Sequence, residues 1–227
     1  MNLTEALDAL EAAADPSRKP GMARVGIPID DALGVSVPDI RRIATRAGTD
    51  QTLAEELWAT GIHEARYLAT MVADPAAFTA AQMDRWAGDI DSWDVGDAAA
   101  DLFAASPLRE RKIRAWAVRE EPFVKRAAFA MIARRAVSDR DASDAAFTRS
   151  FPLIRRAATD DRNEVKKGVS WALRQIGKRN RALNAAAIRE AERILADGLA
   201  SGSRAARWVG RDVLRELRAD ATQSRLR

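Results

Sequence analysis

The sequence predicts an all-α protein, on the basis of three observations. Its 227 residues are rich in alanine, leucine and charged side chains and include a single tyrosine, a composition that favours helices over strands. Residues that end helices recur at short intervals along the chain. Related segments also recur roughly every 40 residues. Together these features predict about twelve helices arranged as repeats.

The individual helices are predicted from their boundary signals. Asp74-Pro75, for example, places a proline in the first turn of a helix, where its missing N–H has no intrahelical partner. No segment is long enough to act as an interdomain linker, so we expect one domain over residues 1–227, with a disordered tail over 219–227. The predicted breaks between helices are Asp15–Gly21, Gly34–Pro38, Gly48–Asp50, Gly61, Asp74–Pro75, Gly88–Ser92, Ser106–Pro107, Glu120–Pro122, Asp139–Ser143, Thr159–Asn163, Asn180 and Gly198–Ser203.

Two internal similarities indicate the kind of repeat. Residues 124–134 align with residues 165–174 at an offset of 41 residues, and the surroundings of Trp171 recur around Trp208 at an offset of 37. Such periods are typical of HEAT and armadillo arrays, which bury a continuous core by stacking and present a concave surface to an extended partner. We therefore expect a HEAT-like α-helical repeat solenoid with a concave basic groove.

Charge is divided unevenly along the chain. Residues 1–108 hold 8 Lys and Arg against 18 Asp and Glu, whereas residues 109–227 hold 29 against 15. The two halves therefore carry −10 and +14, within an overall net charge of +4. Such segregation indicates a surface that faces a polyanion. A general bias toward arginine is the alternative, but a bias alone would not separate the signs.

Missing residue types and motifs exclude several classes of function. Cysteine is absent and His63 is the one histidine, which excludes disulfides, thiolate chemistry and a histidine-rich zinc site. His63, beside Glu64, is interpreted as a capping or packing residue. Motifs for nucleotide hydrolysis, hydride transfer and zinc proteolysis are lacking, so we expect no metal and no cofactor. An acidic N-terminus and the lack of a membrane-length apolar run predict a cytoplasmic protein without a membrane partner. We further expect it to be a monomer and to be associated with the nucleoid.

The segment 163–179 predicts an amphipathic helix with a tryptophan on its polar face. At roughly 100° per residue, Trp171 lies opposite the apolar stripe and among cations. A phosphate backbone or a sugar ring can use that combination, whereas water needs no exposed tryptophan. The alternative is that Trp171 is a wedge between repeats. The stripe is Val165, Val169, Ala172 and Ile176, and the cations are Lys166, Lys167, Arg174 and Lys178.

A second tryptophan is paired with a carboxylate. If Ser92 or Asp91 caps a helix, Trp93 and Asp97 lie one turn apart on the same face. A carboxylate can stabilise a sugar cation and orient water, while an indole packs against the sugar ring. The alternative is a helix start rich in acids, which the helix dipole favours, with Trp93 as a wedge between repeats.

Basic residues at equivalent points of the repeats indicate a track for phosphates. Arg126 aligns with Lys167 one repeat later, and the cations beside Trp208 would extend the track toward the C-terminus. A scattered set of solvated arginines is the alternative. The predicted DNA-contacting residues are Arg126, Lys166, Lys167, Arg174, Lys178, Arg179, Arg207 and Arg211.

An ordered set of short motifs resembles the DNA alkylation repair family, the AlkD-like proteins. The motifs run in order from about residue 20 to residue 217 and so cover nearly the whole chain. They are Gly21–Arg24, Ala32–Pro38, Leu57-Trp58, Gly61–Arg66, Ser92–Asp94 with Asp97, Phe123–Ala127 and Val165–Arg179.

The resemblance implies a HEAT-like solenoid that holds double-stranded alkylated DNA in a basic groove. It also implies a DNA glycosylase that excises N3- or N7-alkylated purines without flipping the base. Trp93 and Trp171 match the two tryptophans that contact the deoxyribose in catalytic members, and Asp97 matches their aspartate. Arg126 and Arg174 match arginines of the groove.

One position departs from the family pattern and keeps two other functions open. Catalytic members carry a tyrosine directly after Met-Ala-Arg, where this chain has Val25. The alternatives are a non-catalytic protein that recognises DNA structure or damage, and a HEAT adaptor for an acidic protein partner.

Overall fold

A computed structural model describes residues 1–226, and this part of the chain forms fifteen α-helices, one 3-10 turn (Pro16–Arg18) and no strand. The helices are α1 (Leu3–Ala12), α2 (Lys19–Arg24), α3 (Val37–Ala47), α4 (Gln51–Ala59), α5 (His63–Val72), α6 (Ala80–Asp89), α7 (Trp93–Ala105), α8 (Arg109–Trp116), α9 (Pro122–Ser138), α10 (Asp144–Thr148), α11 (Phe151–Ala157), α12 (Asn163–Gly177), α13 (Arg181–Ala200), α14 (Arg204–Leu217) and α15 (Asp220–Gln223).

The predicted all-α class is confirmed, but the described chain has more helices than the twelve expected. Three of them, α2, α10 and α15, have only six, five and four residues. The break between α10 and α11 was not predicted. It coincides with Pro152, which lies in the first turn of α11 and favours a new helix start there. Over residues 1–226, no helix combines the length and apolar character needed to cross a membrane.

The chain groups into two compact units, and a single domain over residues 1–227 stays a prediction. The first is Met1–Leu108 and the second begins at Arg109. This boundary coincides with the change from the acidic half to the basic half of the sequence. Each unit is therefore described by itself.

The first unit is built from helices α1 to α7, with an aromatic core. Trp58 and Trp86 stack with ring centroids 4.0 Å apart, and the Trp58 indole N–H donates to Asp89 at 3.0 Å. His63 similarly reaches Asp94 at 3.0 Å. Both polar contacts join residues that are 31 positions apart, so successive helix pairs pack with a constant register.

The second unit has the predicted repeats, with α12 packed against α9 and α14. The predicted apolar stripe of α12 is confirmed, because all four of its members are buried. The hydroxyl of Ser170 donates to Asp212 at 2.6 Å, and Arg174 pairs with Glu216. Both contacts join residues 42 positions apart, close to the offset of 41 in the sequence.

The segment 219–226 differs from the disordered tail that was expected. It contains α15, and the Gln223 side-chain amide donates to the Asn184 side chain at 3.1 Å and to the Leu217 carbonyl at 2.5 Å. Leu226 is buried. An apolar anchor and satisfied amide donors therefore order the segment against α13 and α14; residue 227 lies outside the described residues.

Candidate nucleic-acid interface

The polar face of α12 carries Trp171, which is half-buried. The guanidinium of Arg134, on α9, lies over its indole with the central carbon 5.3 Å from the ring centroid. Trp171 therefore makes the inter-repeat contact that a wedge requires, while part of its surface stays open. Sequence reasoning missed Arg134 because the cation comes from another helix, 37 residues earlier.

Two of the predicted cations, Arg174 on α12 and Lys178 directly after it, are already paired. Arg174 and Lys178 both form ion pairs with Glu216 of α14, and the Nε atom of Arg174 lies 3.6 Å from Asp212. Burial alone would raise the pKa of Glu216, but the hydrogen bonds from Lys178 and Arg174 outweigh it and lower that pKa overall. Glu216 is thus ionised at neutral pH and offsets part of the positive charge. Lys167 remains exposed.

A strongly basic surface lies on α14, around Trp208. The residue is 39 % exposed, and the ammonium of Lys166 on α12 lies 5.6 Å from its ring centroid. Together with Asp212, the side chains of this face line an open concavity of about 560 Å³. Sequence reasoning identified Arg207 and Arg211 but missed two others, although helical spacing from Trp208 would have found them. The α14 basic face is Arg204, Arg207, Trp208, Arg211 and Arg215.

Two predicted DNA contacts lie within the repeat packing. Arg126 is only 8 % exposed and donates to the backbone carbonyl of Glu164 at 3.1 Å. Arg179 donates to the Ala136 carbonyl at 2.7 Å and lies over the Phe147 ring at 4.3 Å. Both guanidinium groups thereby join α12 and its C-terminal end to neighbouring helices. Their contact with phosphate stays a prediction.

In the first unit, Trp93 begins α7 and Asp97 lies one turn later. Trp93 is 41 % exposed and its indole N–H donates to the backbone carbonyl of Val25 at 3.1 Å. Asp97 is half-buried, and Ser92 occupies the N-cap position without a side-chain capping bond. Val25, the position where the chain departs from the family pattern, therefore holds the predicted sugar-contacting tryptophan through its backbone.

A buried polar pair anchors the start of α7 to α5. The Nε2 atom of His63 lies 3.0 Å from a carboxylate oxygen of Asp94, the residue after Trp93. Burial alone would lower the pKa of His63, but the hydrogen bond and charge of Asp94, with other nearby carboxylates, raise it overall. The histidine expected to be a capping or packing residue thus positions the tryptophan helix.

Glu64, the neighbour of that histidine, organises the loop before α3. Its buried carboxylate accepts backbone N–H groups from Leu33 and Gly34 at 2.7 Å and from Val35 at 3.3 Å. Gly34 has a φ of +83°, and a side chain there would place its Cβ 2.2 Å from the Asp15 carbonyl, so the position requires glycine. Across residues 1–226, no three His, Asp or Glu side chains form a group that could hold a metal ion.

Comparisons with known proteins identify the family. A family model for DNA alkylation repair enzymes matches residues 6–217. A solved structure described as "a new family of proteins related to the HEAT-like repeat DNA glycosylases with affinity for branched DNA structures" superposes with a TM-score of 0.75. The two chains share 21 % sequence identity, and the match covers 85 % of this chain and 83 % of the other. This structural similarity shows the HEAT-like fold. No curated protein matches in sequence. Because the family match spans nearly the whole chain, this protein belongs to the DNA alkylation repair enzyme family.

Proposed function

We propose that the protein binds double-stranded DNA through basic side chains of its second unit. The observation that supports this most directly is the α14 basic face, where arginines surround an exposed tryptophan. Lys166 of α12 adds positive charge next to it, and Lys167 is exposed on the same helix. Such a surface suits a phosphate backbone, since cations neutralise phosphates and release bound counterions. Membership of a DNA repair family supports the same partner.

We further propose that the protein excises N3- or N7-alkylated purines. Such a base already carries a positive charge, so it leaves with the electron pair of the N-glycosidic bond without needing a general acid. Asp97 would stabilise the positive charge that develops on the sugar, and the exposed indole of Trp93 would pack against the deoxyribose. Water then adds to C1′ and loses a proton, leaving an abasic site. Trp171 stays a predicted second sugar contact.

The excision proposal is tested by incubating enzyme in excess with a duplex that contains 7-methylguanine and measuring the released base. Asp97→Asn should lose release while keeping duplex affinity, because it removes the charge but preserves the shape. The matched control is Asp101→Asn, an exposed carboxylate one turn further along α7, which should release base like the wild type. Absence of release by the wild type would refute the proposal.

A second candidate function is recognition of DNA structure without excision. The observation that favours it is Val25, which stands where catalytic members have a tyrosine and whose backbone carbonyl accepts the indole N–H of Trp93. The similar solved structure, with its affinity for branched DNA, is consistent with this candidate. Tight, salt-sensitive binding of a branched duplex with no base release would support it.

A protein adaptor is the third candidate. It would show no duplex affinity even at low salt, the condition in which electrostatic DNA binding is strongest. That single titration therefore separates the adaptor from both DNA-binding candidates.

A further inference from the structure

Trp208 differs from most of the large aromatic residues in this chain. Trp58, Trp86 and Trp116 are almost completely buried, as expected for side chains of this size in stacked helical repeats. Trp208 instead lies on the face of α14 opposite its buried residues, with more than a third of its surface exposed. The described part of the chain leaves this surface of the indole uncovered, so it is available to a ligand.

The charges around Trp208 identify the class of ligand. Within residues 1–226, Arg204, Arg207 and Arg211 form no ion pair, so their charges are available at the surface. The acid in this concavity, Asp212, is bonded to Ser170 and paired with Arg215. The site is therefore an indole among uncompensated cations, and it suits a ligand that combines a flat ring with negative charge.

A nucleotide whose base is not stacked in a duplex has that combination. In an intact duplex both faces of every base are covered by neighbouring bases, so an indole on the protein surface gains nothing from them. An unpaired base exposes its π-face, and stacking on an aromatic side chain is sequence-tolerant. The arginines that flank Trp208 on the open face of α14 can bind the phosphates on either side of such a base.

We propose that Trp208, with Arg204, Arg207 and Arg211, forms a stacking site for an unpaired base in DNA that contains a gap, a flap or a branch. The inference rests on the proposed DNA binding and names the feature that the α14 basic face recognises. The ammonium group of Lys166, on α12 of the neighbouring repeat, lies near the indole and adds a positive charge to the site.

The proposal is tested with two DNA probes of the same length, an intact duplex and a duplex with a short single-stranded gap that carries 2-aminopurine. The wild type should bind the gapped probe more tightly and quench 2-aminopurine fluorescence, because the fluorescent base stacks on the indole. Trp208→Ala should lose about 5- to 150-fold in affinity for the gapped probe and abolish the quenching. Trp208→Phe should restore most of both, since it retains an aromatic face.

The matched control is Leu199→Ala, which removes an exposed apolar side chain from α13 and should change neither measurement. Equal affinity of the wild type for the two probes, or unchanged quenching in Trp208→Ala, would overturn the stacking site while leaving duplex binding intact. If the wild type did not bind the intact duplex even at low salt, the proposed function would be overturned instead. The two failures are therefore distinguishable.

Discussion

Replacing Glu216 with glutamine should strengthen DNA binding. Glu216 is ionised and pairs with both Arg174 and Lys178, two residues predicted to contact phosphates. Glutamine keeps the size and a hydrogen-bonding oxygen but removes the charge. Lys178 then loses its acidic partner, Arg174 keeps only its contact with Asp212, and the local net charge rises by one.

The expected effect follows from counterion release. Each cation that neutralises a phosphate of duplex DNA steepens the dependence of log affinity on log salt by about 0.9. When salt is raised from roughly 50 to 200 mM, one or two additional phosphate contacts should therefore make the variant lose about 3- to 12-fold more affinity than the wild type loses. Folding should change little, because partly exposed ion pairs contribute about 0–1 kcal/mol.

The measurement is fluorescence anisotropy of a labelled duplex over a salt series, with the folded fraction checked by circular dichroism. The matched control is Glu192→Gln on α13, which removes the same charge from an exposed pair with Arg218. Glu216→Gln should show tighter binding at low salt and a steeper salt slope than this control. Equal slopes in the two variants would refute the idea that Glu216 masks phosphate-binding cations.

Three further predictions concern the folded scaffold. Glu64→Gln should lower the free energy of unfolding in urea by about 2–4 kcal/mol, because one carboxylate that accepts three backbone N–H groups is replaced by an amide that accepts at only one atom. The wild type should be more stable than His63→Gln, and the difference should be largest between about pH 4 and pH 6.5. Because the pKa of His63 is raised, the stabilisation from its charge is lost as the pH rises through that pKa. Because the pKa of Asp94 is lowered, the stabilisation from its charge is lost when the pH falls through that pKa. Gly210→Ala should reduce thermal stability by about 1–3 kcal/mol, because its Cβ would lie 2.8 Å from the Cβ of Leu195.

Two of these scaffold predictions have a matched control elsewhere in the chain. Glu56→Gln alters an exposed carboxylate of α4 and should leave the urea midpoint unchanged. Gly88→Ala adds a methyl group to α6 where nothing lies within 4 Å, so it should stabilise by about 0.5–1 kcal/mol. For the pH series, a constant stability difference between wild type and His63→Gln from pH 5 to pH 8 would contradict the charged pair.

Periodicity explains why much of the fold could be predicted. Residues 165, 169, 172 and 176 return to one side of a helix by geometry alone, and all four are buried. The aligned segments gave a repeat offset of 41, and side-chain contacts between α12 and α14 join residues 42 apart. The irregular pieces were harder to predict: α10 was not separated from α11, and α15 was missed, because four or five residues make little more than one helical turn and show no repeated pattern.

The partners of the predicted site residues were harder to predict. A helical wheel treats the polar face of one helix as solvated, and on that assumption Arg174 and Lys178 looked available. Their partner, Glu216, is about one repeat further along the chain and is brought close only by packing. Arg126 likewise appeared to be a surface cation, whereas packing buries it against the α12 backbone.

Because of these pairings, the uncompensated positive charge lies mainly on α14 rather than on α12. Acids of α14 offset two cations of α12, whereas within residues 1–226 no acid compensates Arg204, Arg207 or Arg211 in the same way. The tryptophans follow the same trend, since Trp171 is half-buried beneath Arg134 while Trp208 is open. Phosphates should therefore be attracted first to α14, with Lys166 and Lys167 extending the contact onto α12. On this argument, charge removal on α14 weakens DNA binding more than equal charge removal at Arg174.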